Sequence, residues 1–225
     1  MRKRSHFLFL AACALIPSLV VAGPSLLDNL SKSDVENVRG GKQILITEDM
    51  DGKPWPRVNV YKRVDAKPEE VIAVFCDYRN AKTFVPNVLK SDISKEINGQ
   101  VCEVDYGVDV PILPDEYYTV RNTIQLMGND KYQVSWKLVR AMQTKDSEGF
   151  IRVEPFEDGS VILYQNLVTP GSSMAGLLRG KAIEQMRQTV TAITEHVEKK
   201  KSDSPNELKK TVEAFRSKVA TATKQ

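Results

Sequence analysis

Residues 64–92 read VDAKPEEVIAVFCDYRNAKTFVPNVLKSD, and this stretch decides the fold. Val64 ends a strand, and Pro68 opens a helix, where its missing N–H and fixed φ are no handicap. Glu69 and Glu70 occupy the first turn, facing the positive end of the helix. Val71, Val74, Phe75 and Tyr78 give the helix an apolar stripe, and Phe84-Val85-Pro86 then turns the chain into another strand. About five alternating strands follow, and a single long amphipathic helix comes after Pro170. One sheet with one helix across its concave side leaves unfilled volume unless the inward side chains are large. An internal cavity is therefore expected.

Upstream, the segment 23–41 reads as a short lead-in, helical over 25–38 and stopped by Gly40-Gly41. Strands are expected at 43–48 and 57–64, separated by a Met50-Asp51-Gly52-Lys53-Pro54 turn. Downstream, Cys102, Val104, Tyr106, Val108 and Val110 alternate with Glu103, Asp105 and Asp109, the pattern of an antiparallel strand with one face inside. The same parity turns Tyr118, Val120, Asn122, Ile124 and Leu126 inward on the next strand. After a Gly128-Asn129-Asp130 turn it does so for Tyr132, Val134, Trp136, Leu138 and Arg140. A final hairpin over 148–155 and 160–169 turns at Glu157-Asp158-Gly159, with Ile151, Val153, Ile162, Tyr164 and Val168 inward. Ser172 or Ser173 caps the long helix, whose apolar face carries Ile183, Met186, Val190, Ile193 and Val197, extended at its start by Met174, Leu177 and Leu178. Residues 199–203 read as a hinge. Ser204-Pro205-Asn206-Glu207 then forms a capping box for a last helix striped with Leu208, Val212, Phe215 and Val219. The fold class is α+β.

The N-terminus reads as an address. Arg2, Lys3 and Arg4 precede an apolar run over 7–21, and Val20-Val21-Ala22 suits signal peptidase cleavage after Ala22. Leu10-Ala11-Ala12-Cys13 also matches a lipoprotein box, which would leave an acylated Cys13. Pro17 makes the run a poor membrane span. The protein is expected to be exported to the periplasm or the medium, with 1–22 removed. The leader holds three basic residues and no acids, so the 32 basic and 29 acidic residues become 29 of each sign. No overall basic field remains to hold nucleic acid. Basic residues nevertheless gather after Lys199. The helix of 199–225 has two uses open to it: docking on an anionic membrane surface or acidic protein, or folding back over an edge of the domain. Cys76 and Cys102 survive processing and read as two buried thiols, with a bridge as the alternative.

The order of Val64-Asp65-Ala66-Lys67-Pro68-Glu69-Glu70-Val71, Asp77-Tyr78, Phe84-Val85-Pro86, Gly149 with Pro155, Asp158-Gly159, Tyr164 and Pro170-Gly171 resembles the START-like, or SRPBCC, superfamily. Val110-Pro111-Ile112-Leu113-Pro114 leading into Asp115-Glu116-Tyr117-Tyr118-Thr119-Val120-Arg121 is similar to its lipid-transfer branch. The resemblance covers about 42–198, which it marks as one ligand-binding domain. It implies a helix-grip fold, an antiparallel sheet wrapped around a long C-terminal helix, with a tunnel for a lipid or other amphipathic molecule. The export leader and the basic helix after Lys199 depart from that pattern.

The residues agree independently with a ligand cavity. Tyr106, Tyr118, Tyr132, Trp136 and Tyr164 supply apolar area with polar tips, Asn122 and Arg140 polar groups, and Leu178 with Met174 and Met186 an adaptable lid. Core packing is the competing role for each. Catalysis is the weaker reading, because Lys62, Arg140 and the tyrosines are the only inward ionisable groups and are poor general acids or bases. A cyclase- or dehydrase-like enzyme stays as the alternative, as does a binding module that docks a partner through its basic helix. No catalytic residue is assigned. His196 is expected on the surface, no metal-ligand spacing occurs, and no cofactor is implied. A monomeric carrier is the leading expectation.

Overall fold

The computed structural model describes residues 25–110, 113–171 and 175–222. The proposed leader, its cleavage site, Pro111-Ile112, the Ser172 and Ser173 caps and Met174 lie outside the described residues. Helix α1 (Lys32–Arg39) precedes strands β1 (Ile44–Glu48) and β2 (Arg57–Val64). Helix α2 (Pro68–Phe75) follows, then six strands: β3 (Val88–Glu96), β4 (Val101–Val108), β5 (Glu116–Leu126), β6 (Tyr132–Ala141), β7 (Thr144–Phe156) and β8 (Gly159–Pro170). Helices α3 (Ala175–Asp203) and α4 (Pro205–Ala222) follow. The strands form one eight-stranded sheet in the order β1-β2-β8-β7-β6-β5-β4-β3. Each neighbouring pair is antiparallel. With α3 lying across β2 and β8, this is the expected α+β helix-grip architecture.

Local chemistry explains the elements. Pro68 starts α2, and the Glu70 carboxylate accepts the Lys67 N–H at 2.8 Å. Val71, Ile72, Ala73 and Val74 are all buried, because α2 is covered by the sheet on one side and by α3 and α4 on the other. The single helix expected over 25–38 is instead a 3-10 turn at Leu26–Asn29 followed by α1. Ser31 divides them: extended itself, it caps α1 by accepting the Asp34 N–H at 3.1 Å. Leu26, Leu27 and Val38 then cover Tyr61, Val161 and Leu163 on the outer face of the sheet.

Strand parity holds through most of the sheet. Val104, Val120, Ile124, Val134, Ile151, Val153 and Ile162 are buried in the interior. Leu126, expected inside, is 48 % exposed at its strand end. Arg140 is the larger departure. Thr119 pairs with Arg140 but Val120 pairs with Leu138, so Val139 is an extra residue in β6. That bulge reverses the parity beyond it, since alternation has a period of two. Arg140 therefore leaves the interior.

The C-terminal helix also departs from expectation. Residues 199–203 are no hinge: α3 runs through them to Asp203, and α4 begins two residues later. The chain folds back there, and Leu208, Val212, Phe215 and Val219 enter the main core with Val71, Ile72 and Val74. Burying each such side chain contributes about 1.5–3 kcal/mol. Arg216 forms a two-point ion pair with Glu69 of α2, and Lys218 lies 3.7 Å from Glu96. Of the two uses read for this helix, its stripe serves the second.

Phe215→Ala should lower the unfolding free energy in urea by about 3–5 kcal/mol, the usual cost of emptying an aromatic core site. An unchanged midpoint would show that α4 lies outside the cooperative unit.

Candidate functional site

Two helices fill one end of the concave face and leave the other end hollow. There α3 crosses alone, and a cavity of about 280 Å³ lies beneath it. Its floor is the inward face of β4–β8, with Tyr106, Val108, Tyr118, Val120, Asn122, Trp136, Leu138, Tyr164, Asn166 and Val168. Its roof is the N-terminal half of α3, with Leu178, Ala182, Gln185, Met186, Thr189 and Ile193. Phe84, Val85, Pro86, Val110, Trp55 and the exposed Lys181 form the rim.

Of the residues expected to line a ligand cavity, Tyr106, Tyr118, Asn122, Trp136, Tyr164, Leu178 and Met186 do so. Tyr132 does not, because α4 plugs its end of the core. Its ring packs edge-on against Phe215, with centroids 6.1 Å apart. Arg140 does not either. On the outer face its Nε donates to Thr119 Oγ1 at 2.9 Å, and Thr119 in turn donates to Asp105 at 2.7 Å. That hydrogen bond, helped by nearby Arg140 and Lys90, holds the Asp105 carboxyl below its ordinary value. Lys62 reaches away to the Gly41 carbonyl.

Aromatic rings order the wall. Tyr106 and Tyr118 stack at 5.5 Å, while Trp136 lies 5.1 Å from Tyr164 and 6.2 Å from Phe75. Gly149, opposite Trp136 across the β6–β7 ladder, makes room for the indole. A Cβ there would stand 2.6 Å from the Trp136 ring and 2.2 Å from the Gln165 carbonyl. The Trp136 N–H donates to Asn166 Oδ1 at 3.4 Å.

The polar groups of the wall are neutral or already engaged. Glu116 is 6 % exposed, and its carboxylate accepts the backbone N–H groups of Gln143 and Thr144 at 3.0–3.1 Å. Burial raises the Tyr118 phenol to about 12 and pushes Tyr106 and Tyr164 well above the ordinary 10.0. All three therefore stay protonated at neutral pH. Asn122 is 2 % exposed, and its Nδ2 has no hydrogen-bond partner among the described residues. Beyond the wall, Cys76 and Cys102 are free thiols, and burial pushes Cys76 up to about 12. Among the described residues, no group of three His, Cys, Asp or Glu could hold a metal ion.

Asn166, Gln185 and Thr189 of the lining were not anticipated, nor was one contact beside it. Phe84 was read as part of a turn and His196 as a surface residue, yet their rings stack in parallel at 4.0 Å. The stack fastens the 84–86 rim to α3. His196 directly precedes the buried Val197, so a place at the edge of the apolar face was open to it in the sequence. What faces it across the fold was not.

An open antiparallel sheet gripping one long helix, with an aromatic cavity between them, defines the START-like, or SRPBCC, fold. Solved structures agree at low sequence identity. A STAR-related lipid transfer protein from Xanthomonas axonopodis superposes with a TM-score of 0.62 at 18% identity, covering 69% of this chain and 93% of its own. Human STARD10 gives 0.56 at 15% identity, over 83% and 86% of the two chains. The Zhui aromatase/cyclase from Streptomyces sp. R1128 gives 0.54 at 16% identity, over 66% and 96%. No protein-family model matches the sequence, and comparison with curated proteins finds no match.

Two outcomes follow from this geometry. Gly149→Ala should cost about 1–3 kcal/mol through overpacking and shift the tryptophan fluorescence, because the backbone behind Trp136 leaves the new methyl nowhere to go. Burial and Lys200 hold the His196 imidazole below 6.5, with Asp77 opposing and Lys199 reinforcing the shift. The unfolded chain then binds that proton more readily, so stability is lost as pH falls through about 6.5. Melting temperature should drop between about pH 7 and 5, and His196→Phe, which keeps a stacked ring, should remove that part of the drop.

Proposed function

We propose that this protein is an exported, monomeric carrier that binds a lipid or other amphipathic small molecule beneath α3 and moves or sequesters it. The observation that carries the reading is the cavity itself: an apolar, aromatic-lined volume with a few neutral polar groups, the usual composition of a small-molecule site. Its likeness in fold to a protein described as a lipid transfer protein supports the same reading. A cyclase-like activity finds less support. Glu116, the one carboxylate of the wall among the described residues, is committed to backbone N–H groups, and the phenols are held protonated. The leader over 1–22 supports a location outside the cytoplasm. Membrane contact through α4, in this reading, is electrostatic through the exposed Lys209 and Lys210, because the apolar stripe is buried.

Purified protein extracted with organic solvent should yield a stoichiometric amphipathic molecule by mass spectrometry, and the intact mass should begin at Gly23. Ala182→Trp, which places an indole in the roof, should weaken binding of a fluorescent fatty-chain probe more than tenfold, about 1.4 kcal/mol, without lowering the melting temperature. A protein that neither carries nor takes up such a molecule would overturn the carrier reading.

A further inference from the structure

We infer that Asn122 selects the ligand: its side-chain amide receives an uncharged oxygen, a hydroxyl or carbonyl, carried by a single chain or small ring system. This rests on the carrier reading and narrows it. Asn122 stands in mid-β5, between Cys102 and Trp136 on the neighbouring strands. Its other surroundings on the inner face are Val120 and Ile124, which offer no polar atom. A buried amide with an unmade hydrogen bond is costly, and the large majority of buried side-chain polar atoms have a partner. No hydrogen bond to its Oδ1 is present among the described residues either, so turning the amide over leaves the need for a partner unchanged.

The remaining polar atoms of the cavity define what that partner can be. The Asn166 oxygen takes the Trp136 N–H, and the Glu116 carboxylate takes two backbone N–H groups. Thr189 Oγ1 donates to the Gln185 carbonyl. That leaves Asn122, the hydroxyls of Tyr106, Tyr118, Tyr164, Thr144 and Ser147, and the Gln185 amide, whose side chains have no hydrogen bond among the described residues. All are uncharged, and each can donate. Lys181, the cation of the lining, is exposed on the rim. A carboxylate or phosphate drawn to Asn122 would lose its water and meet no positive charge, which is strongly unfavourable. A hydroxyl or carbonyl meets its needs there. Asn122 lies four residues along β5 from Tyr118, about 13 Å at the rise of a strand. The polar end of the ligand therefore sits at the Phe75–Trp136 end, and its apolar body runs toward the rim. At about 280 Å³ the cavity lies at the low end of small-molecule sites and is too small for a two-chain lipid.

Displacement of a fluorescent fatty-chain probe by decan-1-ol and by decanoate at pH 7.4 tests this in wild type and Asn122→Leu. Wild type should bind the alcohol at least tenfold more tightly than the acid. The leucine variant should lose about tenfold for the alcohol, keep its affinity for the acid, and melt no lower than ligand-free wild type. Asn122→Ala, read by the same ratios, substitutes for the leucine variant if that fails to fold. Equal binding of alcohol and acid by wild type, or undiminished alcohol binding by the variants, overturns the role of Asn122 while the cavity stands. Failure of wild type to bind probe, alcohol and acid alike overturns the carrier reading and this inference with it.

Discussion

The sheet is wider than any one helix can cover, and the way its concave face is shared decides the rest of the structure. At one end α2 and α4 lie together, and Phe215, Val212 and Ile72 share one buried cluster with Val134, Ile151 and Val153. At the other end α3 spans the strands alone. Close packing would need side chains long enough to bridge from helix to floor, and Ala182, Thr189 and Val120 are too short to do so. The hollow is thus a product of which residues are small and where the second helix lies.

Within that hollow the aromatic residues have two duties. Trp136 touches both halves: it packs on Phe75 of the solid end and on Tyr164 of the hollow one. It can do so only because Gly149 lies behind it. The three wall tyrosines cannot ionise under ordinary conditions, so the cavity keeps a constant electrical character while its hydroxyls stay available as donors. This is the electrostatic condition for holding an uncharged guest.

Much of this could be read in the chain itself. Alternation from Cys102 to Val108 and from Tyr118 to Ile124 identifies the inward face, because a period of two is insensitive to distant partners. The failures have distant causes. Arg140 changes sides through a bulge at Val139, and its only trace in the sequence is the adjacent apolar pair Leu138-Val139, which does not by itself say which of the two is the added residue. Tyr132 belongs to the core because α4 returns to meet it, a contact across more than eighty residues that local pattern cannot report. Ser204-Pro205 was read correctly as a helix start, but a helix start says nothing of the direction the helix takes. The stack of Phe84 on His196 joins two segments whose proximity exists only in the folded chain.

The place of α4 in the chain has a consequence for how the molecule comes into being. Its partners on α2 are some 147 residues earlier, as the Arg216–Glu69 pair shows. A ribosome therefore delivers Val71, Ile72 and Val74 long before it delivers the side chains that cover them. Until then the growing chain presents an apolar face that favours binding by a chaperone, and contacts so distant in sequence form slowly. A chain that cannot close this core until α4 has emerged keeps the α2 face open while the intervening residues are made. That delay makes the covering of α2 one of the late steps of folding.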